Sequence, residues 1–102
     1  MKVIATIVDL IEDEQSGAKR YAELALRMKA EHPKLAEKLH ELAGVEMMHA
    51  KQLHAEATRL IEEVRARDGE PPAAMLAVYE YEHGKQIKQA AETRALIEEY
   101  DN

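Results

Sequence analysis

The chain has no cysteine, no tryptophan and no phenylalanine, and only 4 glycines and 3 prolines in 102 residues. The absence of cysteine excludes disulfides, thiolate zinc sites, iron–sulfur clusters and thiol nucleophiles. Any metal must then be held by carboxylate and imidazole. A sheet would want more Val, Ile, Thr and Phe, whereas Leu, Ile, Ala and Met suffice for a helical bundle. No glycine-rich loop is present. Basic residues number 14 against 20 acidic ones, and the net charge of −6 disfavours nucleic acid and anionic membrane as partners. The apolar start, Val3 to Val8, is interrupted by Asp9 and by the acids at 12–14. That is too soon for a signal segment or a membrane span, so a cytoplasmic protein is expected. The length fits one small domain, residues 1–102.

What is present is helical periodicity. Ile4, Ile7, Ile11, Glu14, Ala18, Tyr21, Ala25 and Met28 step by three and four, which predicts a first helix over about 2–31. The stretch Glu31-His32-Pro33 predicts a turn, since proline opens a helix and pushes the preceding residue out of one. A second helix should run over about 33–67, closed by Arg65, Arg67 and Asp68-Gly69. Pro71-Pro72 blocks continuation and opens a third helix over about 73–100, with Leu76, Tyr79, His83, Ile87, Ala90 and Ile97 as its stripe. The expected fold is all-α: an antiparallel helical hairpin plus a third helix.

The second helix carries the chemistry. Leu35, Leu39, Leu42, Glu46, His49, Leu53, Leu60 and Val64 trace one stripe, apolar at its ends and ionisable at its middle. A carboxylate on a packing face is costly unless compensated. Glu46 and His49 form a Glu-x-x-His unit, the ligand pair of di-iron and di-manganese carboxylate bundles. The same spacing occurs at Glu37/His40 and Glu80/His83, but the first of these falls off the stripe. Glu14 occupies the equivalent position on the first helix, where Leu would be the plain choice. At about 1.5 Å per residue, Glu14 lies about 24 Å before the turn. On the same rise Glu46 and His49 lie about 20 and 24 Å beyond it. An antiparallel hairpin therefore brings all three to one level.

A full dinuclear site needs one Glu from each of two helices and one Glu-x-x-His from each of two others. One copy supplies half; a two-fold homodimer supplies four carboxylates and two imidazoles. Four carboxylates balance two divalent cations, and the donor set suits Fe(II) or Mn(II). The alternatives are a hydrogen-bonded or salt-bridged polar cluster inside a non-catalytic helical dimer or adaptor, fixing its register, and a dimer that binds metal without turnover.

Beyond these patterns, Glu14-Gln-Ser-Gly-Ala-Lys-Arg-Tyr21 resembles the first helix of the rubrerythrin branch of the ferritin-like superfamily, where a ligand Glu is followed seven residues later by Tyr. Glu46-Met-Met-His49-Ala-Lys resembles its second helix, and the likeness spans roughly residues 10–64. The resemblance implies Glu14 as a terminal metal ligand, Glu46 as the bridging carboxylate and His49 as the nitrogen ligand. It implies Tyr21 as a hydrogen-bond donor to a ligand carboxylate. It further implies two iron ions per dimer, with manganese as the other candidate, and oxidation of Fe(II) by dioxygen or hydrogen peroxide. Two departures bear on partners. With no cysteine there is no rubredoxin-like centre, so peroxidase turnover needs an electron-donor protein. The chain has three helices where a typical member has four, which is similar to the half-length encapsulated ferritins. That likeness implies a four-helix bundle completed by dimerisation, a homodimer or a larger ring, with an encapsulating shell as a further partner. Glu80 and His83 bring a ligand pair to this site or to a second one, or else His83 is a core or interface histidine. Met47 and Met48 are expected to be packing, and His32, His40 and His54 to lie at the surface.

Overall fold

The computed structural model describes residues 2–102 and contains three helices, α1 (Lys2–Met28), α2 (Pro33–Asp68) and α3 (Ala73–Asp101). Among the described residues there is no strand, and no helix is long and apolar enough to cross a membrane. The turns follow from local chemistry. α1 stops three residues short of the expected end, where the His32 N–H donates to the Met28 carbonyl at 2.8 Å and Pro33 starts the next helix. Gly69 closes α2 with φ +83°, a conformation that side chains resist, and its N–H donates to the Arg65 carbonyl at 2.9 Å. Pro72, at φ −53° and ψ 145°, then sets the entry to α3.

The helices form a rod of 55 × 18 × 18 Å running up, down and up. α1 and α2 pack along their lengths through small side chains at seven-residue intervals. Ile4, Ile11, Ala18 and Ala25 line α1, and Ala36, Ala43, Ala50 and Ala57 line α2; all are at most 7% exposed. Alanine methyls allow close approach but remove little apolar area from water, so this core is thin. The leucine stripe lies beside the alanine seam rather than in it. Leu39, Leu42, Leu53 and Leu60 are half-buried, and Leu35 is exposed.

α3 lies along α1 and meets α2 at few points. Its seam is polar. Gln86 and Thr93 are its buried residues, and the Gln15 side-chain amide donates to the Gln86 carbonyl at 3.0 Å. Lys19 pairs with Glu92 at 3.1 Å, and Lys29 lies over the Tyr100 ring and donates to the Tyr100 carbonyl. His40 stacks on Tyr100 at 4.1 Å and meets Asp101 at 3.2 Å, tying the end of α3 to the start of α2. Gln15 and Lys19 thus mark the flank of α1 that α3 covers. The other flank, carrying Ile7, Glu14, Tyr21 and Met28, is half-buried.

Candidate metal centre

Glu14, Glu46 and His49 come together on this half-buried flank, with one ligand atom from each within 4.8 Å of the others. His49 Nδ1 lies 3.5 Å from Glu14 Oε2 and 3.8 Å from Glu46 Oε1. Side-chain exposures of 28%, 25% and 43% for Glu14, Glu46 and His49 describe a site at the surface of this chain, walled on one side and open on the other. The hairpin positions it: Glu46 and His49 are one turn apart on α2, and antiparallel packing sets Glu14 opposite. Gly17, one turn beyond Glu14, completes the recess. A Cβ at that position would stand 3.4 Å from Glu46 Oε2.

The electrostatics are those of a crowded anionic recess. A hydrogen bond shared with Glu14, then burial, then the Glu14 charge raise the pKa of Glu46, and only His49 opposes them. Glu14 Oε2 is itself a buried atom with no hydrogen-bond donor. These two facts agree once protons are counted. Two ionised carboxylates cannot share a hydrogen bond, so the oxygen stays without a donor until Glu46 takes up a proton or a cation arrives. The arrangement suits a cation: a first-row divalent ion with bonds of about 2.1 Å holds its ligand atoms about 3–4 Å apart. The Glu14–His49 and Glu46–His49 separations of 3.5 and 3.8 Å lie within that span.

Other singled-out residues go elsewhere. Tyr21 is half-buried on the same flank, and among the described residues its hydroxyl donates to neither Glu14 nor Glu46. Glu80 is exposed, and His83 meets His54, with 3.1 Å between their Nε2 atoms, rather than the Glu14 group. Met47 and Met48 line the cleft between α2 and α3. His32 is exposed, whereas His40 is half-buried against Tyr100.

Two features escaped the sequence reading. Gly17 was legible as a glycine inside a helix one turn from a candidate ligand. The second is a carboxyl pair between α1 and α3. A hydrogen bond with Glu82, then burial, then the Glu82 charge raise the pKa of Glu12; Lys85, 3.5 Å from Glu82, opposes. No sequence pattern links these two acids. Comparison with family models, with curated proteins and with solved structures returned no match. The likeness to ferritin-like proteins therefore rests on residue pattern alone.

Proposed function

We propose that the chain is a half-length, ferritin-like protein of the rubrerythrin type. A homodimer, or a larger ring built from such dimers, completes a dinuclear site that oxidises Fe(II) with dioxygen or hydrogen peroxide in the cytoplasm. The observation that carries this reading is the convergence of Glu14, Glu46 and His49, from both helices of the hairpin, on one half-buried spot. The rod shape, 55 × 18 × 18 Å, leaves surface enough for a partner. A compact monomer of this mass exposes about 5,800 Å². This chain exposes 6877 Å². The excess of roughly 1,000 Å² follows from the elongated shape. Leu10 and Leu35, 44% and 50% exposed, add apolar surface along the rod.

In this reading Glu14, Glu46 and His49 of each chain would hold the metal ions. The pair supplies charge neutralisation and, as iron, one electron per ion to the oxidant. Without metal, the raised pKa of Glu46 lets it take up a proton more readily than a free carboxylate. Peroxide reduction to water takes up two electrons and two protons, so sustained turnover calls for an electron-donor protein. Manganese fits the same donors.

Anaerobic Fe(II) titration followed by admission of oxygen tests the proposal. Two irons per dimer with ferric absorbance rising faster than in buffer is the expected result. Two irons without accelerated oxidation would leave a metal-binding dimer, and no bound iron would leave a helical adaptor. Glu46→Ala should abolish iron binding while circular dichroism stays helical.

A further inference from the structure

We propose that His54 and His83 form a second metal site: a two-imidazole clamp between α2 and α3 for a borderline divalent cation such as Zn(II), Co(II), Ni(II) or Cu(II). The two Nε2 atoms are 3.1 Å apart, and the rings lie 4.8 Å apart at 20°. Two imidazoles bound at about 2.0–2.1 Å, at angles between about 90° and 110°, set their nitrogens about 2.8–3.4 Å apart. The observed separation needs no rearrangement to meet that span. With one ring as its Nε2–H tautomer the pair is an N–H···N hydrogen bond; the other tautomer pairing leaves room for a cation. Neutral imidazole carries one N–H, and with both protons on Nδ1 two lone pairs face each other. One shared proton relieves this, and so does a cation. Imidazole is the donor that borderline first-row ions prefer.

The surroundings leave such an ion reachable. His54 and His83 separate two clefts, of about 600 and 260 Å³, and line both. Among the described residues no carboxylate joins the pair to make a three-ligand group, so water fills the remaining positions. Glu80 and Glu82 line the smaller cleft with Arg65, while Lys51 and Arg94 line the larger. The acids thus stand on one side of the pair and two of the cations on the other. Burial, then the neighbouring His83, lower the pKa of His54, which favours the neutral form that binds metal. A cation here would fasten α3 to α2, two helices that otherwise touch little.

The test uses the full chain carrying Glu46→Ala, which disables the Glu14 group and keeps the two sites apart. Co(II) titration followed by visible absorbance, with competition by Zn(II), should show one ion per chain. Adding His83→Gln or His54→Gln should weaken binding more than about tenfold. Circular dichroism checks that each variant stays helical. If either variant unfolds, paramagnetic broadening of the His54 and His83 imidazole resonances by Co(II) in the Glu46→Ala chain reads the same contact directly. Affinity that survives loss of either histidine would overturn the proposal. So would the absence of Co(II) binding or imidazole broadening in the Glu46→Ala chain, which would leave a hydrogen-bonded pair. Neither result bears on the Glu14 site.

Discussion

Gly17→Ala separates the needs of the helix from the needs of the site. Glycine inside a helix costs about 0.8–1 kcal/mol relative to alanine. A Cβ at position 17 would meet Glu46 Oε2 at 3.4 Å, an ordinary contact, so no steric strain offsets that gain. The metal-free variant should therefore be more stable by about 0.8–1 kcal/mol, or about 4–8 °C in melting temperature. The same methyl group covers one face of a ligand oxygen and should weaken divalent-ion binding, by about tenfold if it blocks one approach. At a hundred times its dissociation constant an ion stabilises the parent by about 2.7 kcal/mol. At that concentration the weakened variant gains only about 1.4 kcal/mol. Adding the helix term leaves the variant slightly below the parent. The two proteins should thus exchange rank: variant above parent in chelator, level with it or below it in excess Mn(II) or anaerobic Fe(II). Thermal melts under both conditions read this out. A variant that keeps the same advantage with and without metal would show that Glu46 Oε2 does not face a bound ion.

The two carboxyl pairs should cost the apo protein stability as pH rises. Glu46 and Glu12 have folded-state pKa values raised above their unfolded values, so each favours the fold below the usual carboxylate range and costs stability as pH climbs through its raised pKa. Urea midpoints in chelator, read in a His54→Gln background that removes the oppositely signed titration of His54, should fall between pH 4.5 and neutrality, and saturating divalent metal should flatten the Glu46 part of that slope. A midpoint that rises over this interval would contradict the like-charge reading of both pairs. Ala43, fully buried in the hairpin seam, should tolerate no enlargement. Ala43→Leu should cost about 1–3 kcal/mol in overpacking, read as a lower melting temperature. Leu35→Glu, at a half-exposed position, should leave monomer stability within about 0.5 kcal/mol while shifting a sedimenting dimer toward monomer; a dimer that persists unchanged would move the interface away from this flank.

Three helices and two turns were legible because proline, glycine and a three–four apolar rhythm each act locally. Convergence of Glu14, Glu46 and His49 was legible for a related reason: a short turn makes height along a hairpin a matter of counting. The identity of the buried seam was not. Leucines draw the eye in a pattern, yet Ala36, Ala43, Ala50 and Ala57 are the α2 residues the seam buries. α3 hid its packing face for the opposite reason. Its buried residues are Gln86 and Thr93, which a hydrophobic count places outside. The His54–His83 contact joins residues 29 apart across a turn as short as the first, and it depends on how α3 rotates, which no local signal fixes.

The displaced leucines and the half-buried carboxylates have one physical explanation. An alanine seam stabilises each residue pair weakly, since a methyl group contributes about 0.8 kcal/mol. A chain with so thin a core gains from burying the flanking Leu39, Leu42, Leu53 and Leu60, all half-exposed in the isolated chain. That burial would carry Glu14 and Glu46 into a drier place, where two like charges in contact with each other are costly. The apolar face favours a partner and the acids oppose one unless positive charge arrives with it. Association and cation uptake should therefore be linked, each strengthening the other by the same factor. Sedimentation in chelator and in excess divalent ion measures the first half of that linkage, and ion affinity at protein concentrations below and above the dimer constant measures the second. Equal factors would support a shared site at the interface; a dimer constant indifferent to metal would place the carboxylates outside it.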